Sequence, residues 1–436
     1  MAPHPMAPRT EADTAPQEHA SEGDQSVTVD GPADPEDFLT CALLLDPRKC
    51  IKGCKLSWSP GPRDHAPIAS HRLRALLSCA AAHLNPPRLG WRLGRLFLLF
   101  DISPEGLWLE ELHALPPANV VLCMSRHDLM DARSRPMLLM LHRRGIGFML
   151  RGSADLPDDP ELCGILSHVD VGNGHPDSVA GLLRGASLVL PTARPVATDI
   201  LSAQELDACA ARQLDVLIEN AVDLPTAHAA RSVLLPETMV IVRTMQLIRR
   251  NDDLRSIEAT LMQDGGLSER LLRHINSPGV GVGVPIRSLR QALAIFGYAP
   301  LFRWMSVLLA ASNQAAADFM VKKAIVRGRF VELMGQGIAP PHEADHLFLA
   351  GVFSLMDRLL GVSVGDVLDH VELPEPVRIA VLCRGGLHGR LVALAESCET
   401  GGREAAALSD SVSMSANKVN AAHLAALAWA QDVAFV

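Results

Sequence analysis

The chain has 436 residues, enough for two or three domains, and 48% hydrophobic and 20% charged residues allow sizeable cores. A formal net charge of -9 argues against general nucleic-acid binding, because phosphate contacts need a basic surface. No apolar run approaches the ~20 residues that cross a bilayer, and the nine cysteines are scattered, as is typical of reduced thiols. We therefore expect a cytoplasmic protein without a membrane span.

The first half of the chain alternates short apolar segments with helical stretches. Residues 1–36 are rich in Pro, Ala, Glu and Asp, which predicts a disordered tail. Strands are predicted over 38–45 and 50–58, on either side of an Asp46-Pro47 turn. A buried strand over 96–100 and a helix through 107–112 come next, and further strands and helices follow in turn. Such alternation indicates a parallel sheet or barrel, which we place at 37–228.

The second half, 229–436, contains helix signals and no strand signals. Asp252 or Asp253 is placed to cap a helix that runs to about residue 262, and Ser288 begins a helix that ends at Gly297. Further helices are predicted over 298–311, 320–333, 345–360 and 376–382. The pattern predicts an all-helical domain.

Many residues in this half match the sequence pattern of a known domain. The pattern includes Asp264, Asn276, Ser277, Ser288, Arg290, Gly297 and Trp304. In order and spacing it resembles the signature of HDOD domains, and blocks 326–333 and 348–354 are similar to later helices of the EAL–HDOD signalling family. The resemblance implies that these signature residues are structural or lie at an interface, and that the partners are other signalling proteins.

HDOD domains are similar to HD-type phosphohydrolases, whose adjacent His-Asp residues hold metals. No histidine after residue 234 is followed by aspartate, so that doublet is absent here. The run His342-Glu343-Ala344-Asp345-His346 matches the HExxH pattern of zinc proteases. Because it directly follows two prolines, we interpret it as a solvated helix start. No catalytic residue, metal ligand or cofactor is expected in this half.

In the EAL–HDOD family the first domain is similar to a cyclic-di-GMP phosphodiesterase barrel, in which carboxylates at strand ends hold divalent metals. Segments 45–58, 116–122, 141–150 and 197–225 follow that family's order. The resemblance places other residue types at the metal-ligand positions, with Asp170 as the one candidate survivor. These positions are Lys55, a site near Leu99, Cys123, Arg151, Gly152, Thr198 and Leu201.

The resemblance therefore implies an α/β plus all-α chain, a degenerate EAL-like barrel of the TIM type followed by a helical HDOD domain. The leading hypothesis is a non-catalytic signal-transduction regulator or scaffold that acts through protein–protein contacts of the HDOD domain. An alternative is a receptor that binds cyclic di-GMP without hydrolysis, with Lys55 and Arg151 as candidate phosphate contacts. A residual phosphodiesterase is a weaker alternative, and the chain is not expected to be an enzyme. The oligomeric state stays open.

Overall fold

The structure is a computed structural model that describes residues 37–59, 69–152, 156–172, 193–198, 200–218, 234–278, 285–313 and 318–433. The predicted disordered tail and the predicted domain boundary at 228/229 lie outside the described residues. Described residues of both halves belong to one unit, Asp34–Val436.

Eight strands close into a barrel in sequence order. β1 is antiparallel to β2 and β8, and β2 to β8 run parallel. The reversal follows from the tight turn after β1, where the Asp46 carboxylate accepts hydrogen bonds from the amides of Arg48 and Cys50. The predicted barrel is confirmed. Its strands are β1 Phe38–Leu45, β2 Ile51–Ser59, β3 Phe97–Asp101, β4 Val120–Ser125, β5 Gly147–Arg151, β6 Leu166–Asp170, β7 Arg194–Ala197 and β8 Asp215–Ile218.

Helices cover the outside of the barrel. Among the described residues these are α1 Ser70–Leu84, α2 Arg126–Leu129, α3 Arg135–Arg143, α4 Pro160–Gly164 and α5 Ala203–Ala211. The predicted helix through residues 107–112 is instead two short 3₁₀ turns. Extended backbone at Leu109, with φ -69° and ψ 127°, separates them and prevents a continuous helix.

The barrel interior contains its own small apolar layer. Inward-facing side chains fill the interior of the barrel. They are separate from the larger core that lies between the strands and the outer helices. Because side chains alternate between the two faces of a strand, the residues two positions farther along β3 and β5 also point inward. The layer consists of Leu44, Leu99, Val121, Cys123, Met149, Val196 and Leu217.

The second half is helical throughout its described residues, as predicted. Asp253 and Ser288 cap helices through their side chains, and Gly297 ends one with φ +79°. The predicted helix over 345–360 is broken in two at Ser354 and Leu355. None of the described helices is both long enough and apolar enough to cross a bilayer. The helices are α6 Pro236–Arg249, α7 Leu254–Leu261, α8 Leu267–Ile275, α9 Leu289–Phe296, α10 Tyr298–Ala310, α11 Asp318–Gly335, α12 Ala344–Phe353, α13 Met356–Leu360, α14 Val364–His370, α15 Glu375–Cys383, α16 Gly386–Thr400, α17 Ala405–Ser411 and α18 Ala416–Trp429.

The helical half packs directly on β1, β2 and α1. The buried Asn420 side chain of α18 accepts a hydrogen bond from the Leu39 amide at 2.8 Å and donates to the Asp37 carbonyl at 3.0 Å. Ser59 donates to the Gly401 carbonyl at 2.8 Å. Apolar residues of α11 and α18 join the core on the outer side of the barrel, namely Phe319, Leu424, Leu427 and Ala428.

Candidate functional site

A group of charged side chains lies at the carboxyl end of the parallel strands. Lys55 on β2 contacts Asp101 at the end of β3, with 3.0 Å between Nζ and Oδ2. Arg151 at the end of β5 contacts the other oxygen of the same carboxylate, with 2.9 Å between Nη1 and Oδ1. The three side chains are only 11% to 16% exposed. One carboxylate thus bridges two cations in a largely desolvated site.

Asp170, at the end of β6, provides a second buried carboxylate at this end. Its Oδ2 accepts a hydrogen bond from the Gly152 amide at 3.1 Å. Its Oδ1 accepts from the Gly172 amide at 2.8 Å and from the Thr198 hydroxyl at 3.0 Å. Asp170 therefore ties together the ends of β5, β6 and β7. We call Lys55, Asp101, Arg151 and Asp170 the mouth cluster.

Cys123 lies beneath the mouth cluster in the apolar layer. Burial, reinforced by the nearby Asp101 carboxylate, raises the pKa of its thiol to about 12. Its Sγ is 3.9 Å from the Met149 sulfur. A thiol with so high a pKa stays protonated near neutral pH and is a poor nucleophile.

The structure brings most of the positions expected at the strand ends together and separates two of them. Leu99 is fully buried in the apolar layer, and Leu201 is 76% exposed on the outside. Asp101 was missed by sequence reasoning, although it directly follows the predicted strand over 96–100. An aspartate immediately after a buried strand was the signal available. Within the described ranges, no group of three or more His, Cys, Asp or Glu side chains is placed to hold a metal ion.

Three of the signature residues in the helical half organise helix ends. Asn276 donates to the Leu272 and Ile286 carbonyls and accepts from the Ile286 amide, with distances of 2.7 to 2.8 Å. Ser277 donates to the His274 carbonyl at 2.7 Å. Ser288 caps α9. These contacts link the end of α8 to the residues just before α9.

The other four signature residues are spread over this region. Asp264 forms an ion pair with Arg270 at 2.9 Å, and Gly297 joins α9 to α10. Trp304 is buried and packs edge-on against Phe296 with 4.7 Å between ring centroids. Arg290 is exposed on α9. Their roles, structural or at an interface, stay a prediction.

The HExxH run begins in a 3₁₀ turn, Pro341–Glu343, and continues into α12. Its Glu343 carboxylate is 3.6 Å from Nε2 of His388, and the His346 and His388 rings are 6.5 Å apart. Burial lowers the pKa of both imidazoles. Sequence reasoning did not place His388 near this run, because α16 comes close only through the tertiary fold.

Comparison with known protein families identifies a domain in the helical half. Residues 234–356 match the family described as the HDOD domain. The chain contains an HDOD domain. The closed barrel followed by this domain confirms the expected arrangement of a barrel and a helical HDOD domain.

Two related proteins match part of this chain in sequence. It is 30% identical over 164 residues to the cyclic di-GMP phosphodiesterase CdgJ of Vibrio cholerae, covering 36% of this chain. It is 24% identical over 141 residues to the uncharacterized protein YuxH of Bacillus subtilis, covering 31%. The matches span 38% and 34% of the lengths of these relatives.

Solved structures resemble about two fifths of the chain. Klebsiella pneumoniae BlrP1, solved with calcium and cyclic di-GMP, is 15% identical, with a TM-score of 0.33 and coverage of 43% of this chain and 56% of that one. The FimX EAL domain of Xanthomonas citri, also with cyclic di-GMP, is 11% identical, with a TM-score of 0.32 and coverage of 42% and 86%.

The similarity to CdgJ corrects one prediction. The expectation that the chain is not an enzyme is contradicted, because a 30% identical relative is named as a phosphodiesterase. That expectation was based on the individual metal-ligand positions and did not include Asp101. The structure places two carboxylates at the strand ends, the largely buried Asp101 and the buried Asp170. The replacements at the other expected metal-ligand positions therefore do not by themselves exclude an enzymatic reaction at this end of the barrel.

Proposed function

We propose that the chain is a signal-transduction regulator. Its helical half, 229–436, binds other signalling proteins, and its barrel, 37–228, receives the signal. The observation that supports this is an exposed apolar face on α15. Ile379 is 39% exposed and Leu382 is 48% exposed, and Cys383 and Pro376 are also exposed. Positions three and four apart lie on one side of a helix, so these residues form one apolar stripe on the surface.

The occupant we propose is a helix of a partner protein with apolar residues at the same spacing, the usual mode for such a stripe. A charged side chain within the stripe would have to be desolvated on binding, which is costly. Ile379→Glu combined with Leu382→Glu should therefore abolish capture of a partner by the purified protein. Leu89→Glu, at a position 73% exposed on the barrel half, is the matched control and should leave capture unchanged. Capture that survives the double change would refute this surface.

A second candidate function is binding of cyclic di-GMP at the mouth cluster. It is favoured by two cations, Lys55 and Arg151, that meet at the carboxyl end of the strands, where barrels of this kind bind ligands. Both cations contact Asp101, so a phosphate would compete with that carboxylate. The named activity of CdgJ supports the choice of nucleotide.

This competition makes a sharp test. Calorimetric titration with cyclic di-GMP should show that Asp101→Asn binds more tightly than the unchanged protein, since it releases both cations. Lys55→Gln and Arg151→Gln should weaken binding about tenfold or more. Arg194→Gln, which breaks the Arg194–Asp215 pair at the opposite end of the barrel, is the control. Equal affinity for all four variants would contradict a site at the mouth cluster.

The same samples answer the enzymatic question. Incubation with Mg²⁺ and chromatography of the nucleotides reports whether linear dinucleotide forms. Product that the unchanged protein forms and Asp101→Asn does not form would assign turnover to this site.

A further inference from the structure

A cleft lies where the helical half meets the outside of the barrel. It contains about 480 Å³ of empty space, part of it open to solvent. Strands β1 and β2 form one wall, and α11, α16 and α18 form the other. Much of the wall is apolar, with Leu43, Ile51, Val326 and Leu427 as its aliphatic members.

One cation in this cleft has no carboxylate partner. Lys322 lines the cleft and donates from Nζ to the neutral Gln431 amide oxygen at 2.6 Å. Among the residues that the structure describes, no carboxylate lies within 4.0 Å of it. Burial lowers the pKa of its ammonium, and the more distant Asp432 only partly compensates. Its neighbour Lys323 is already paired with Glu399 at 3.3 Å.

A second polar group, the His423 imidazole, lies in the wall of the cleft. His423 is 3% exposed, its ring stacks on Phe330, and its Nδ1 is buried without a hydrogen bond. Burial lowers the pKa of this imidazole to about 4, while the nearby Glu399 carboxylate and a hydrogen bond to the Leu39 backbone act in the opposite direction. At neutral pH the ring is uncharged, so His423 adds aromatic surface to the wall of the cleft and no charge that would compete with Lys322.

We propose that this cleft binds a small organic acid, with its carboxylate on Lys322 and its hydrocarbon body between β1, β2 and α18. A carboxylate supplies the counter-charge that Lys322 lacks, and an apolar body fits the aliphatic wall. Because both halves line the cleft, such a ligand stabilises their packing. The site is distinct from the mouth cluster, which lies inside the barrel.

Hexanoate and its uncharged analogue methyl hexanoate are the probes. Hexanoate should bind with an affinity of about 1 mM or tighter in calorimetry and should raise the melting temperature, whereas methyl hexanoate should bind at least about tenfold more weakly. Lys322→Gln should weaken hexanoate binding about tenfold or more. Lys418→Gln is the matched control, because Lys418 is exposed on α18 and outside the cleft.

Leu427→Trp gives an independent check by filling the cleft. It should abolish hexanoate binding without removing any charge. Absence of hexanoate binding to the unchanged protein would overturn the proposal. Equal affinity for methyl hexanoate, or for Lys322→Gln, would also overturn it. Binding of cyclic di-GMP does not bear on these outcomes, so the two sites are tested separately.

Discussion

Arg327 shows how a single buried charge is tolerated in the helical half. Its side chain is 1% exposed and contacts Glu399 at 2.7 Å and Glu396 at 3.0 Å, and it donates to the Ser354 hydroxyl at 2.9 Å. Lys323 contacts the same Glu399. These charges are stable in the interior only because each is paired and hydrogen-bonded.

Arg327→Met should lower the free energy of unfolding by about 3–5 kcal/mol, since it leaves Glu399 buried with fewer partners. Urea denaturation monitored by circular dichroism measures this. Arg273→Met, which breaks the exposed pair with Glu269 on α8, should cost less than about 0.5 kcal/mol. Similar losses for the two variants would argue against a stabilising role for the buried network.

His423 predicts how stability depends on pH. Burial lowers its pKa to about 4 in the folded protein, whereas the unfolded chain takes up the proton near pH 6.5. The stability that the neutral ring contributes is therefore present above pH 6.5 and is lost as the pH falls toward 4. Glu399, with a pKa of about 2, acts in the same direction but only below its unfolded pKa of 4.5.

Between pH 7.5 and pH 5, His423→Phe should lose about 2 kcal/mol less stability than the unchanged protein. Phenylalanine keeps the stacking on Phe330 and cannot take up a proton. Unfolding free energies from urea titrations at the two pH values give the comparison. His71→Phe, at an exposed position, is the control and should follow the unchanged protein. A parallel loss in His423→Phe would show that this ring does not control the acid response.

At the scale of elements, two glycines allow α11 and α12 to cross closely. A Cβ atom on Gly351 would lie 2.6 Å from the Gly328 Cα and 2.8 Å from the Arg327 carbonyl oxygen. Both contacts are with backbone, which cannot move aside without separating the helices. The sequence pattern predicted helices here but gave no reason for a glycine in either.

Gly351→Ala should destabilise the protein by about 1–3 kcal/mol because it forces the two backbones apart. In Gly365→Ala on α14 the added methyl group would meet only the Ser363 hydroxyl oxygen, at 3.7 Å, which is an ordinary van der Waals contact. There the better helix propensity of alanine should leave stability unchanged or raise it by up to about 1 kcal/mol. Thermal or urea unfolding of the pair measures both effects. Two variants with equal stability would disprove the close crossing.

At the scale of the whole molecule, Asn420 joins the two halves. It is 1% exposed and bonds to the backbone of Leu39 and Asp37 beside β1. Asn420→Ala leaves the Leu39 amide buried without a partner, at a cost of about 1–3 kcal/mol. We expect this loss of free energy to weaken mainly the contact between the two halves. The barrel and the helical half should then unfold in two separate transitions.

Calorimetry or urea unfolding followed by tryptophan fluorescence and circular dichroism would resolve the two transitions. Asn85→Ala is the matched control, since Asn85 bonds to the Ala114 carbonyl within the barrel half. It should lower stability without splitting the transition. One unchanged transition in Asn420→Ala would mean that the halves are held together mainly by other contacts.

The sequence by itself determined the local elements and their order. Turn residues such as Asp46, caps such as Asp253 and Ser288, and the positive φ of Gly297 act within a few residues, so the pattern carries them. The same locality explains the failures. The helix predicted over 345–360 breaks at Leu355, and the one over 107–112 becomes 3₁₀ turns, because packing rather than propensity decides such short segments.

Only the tertiary structure decided which side chains share a site. Lys55 and Arg151 are 96 positions apart in the chain, and Asp101 contacts both only because the barrel closes. Glu343 and His388 likewise approach each other, and Lys322 and His423 line one cleft, only through the packing of distant helices. The free energy of such contacts depends on distance and burial, which residue spacing does not encode. The elements of the fold could therefore be predicted from the sequence, whereas the ion pairs of the mouth cluster and the cleft could not.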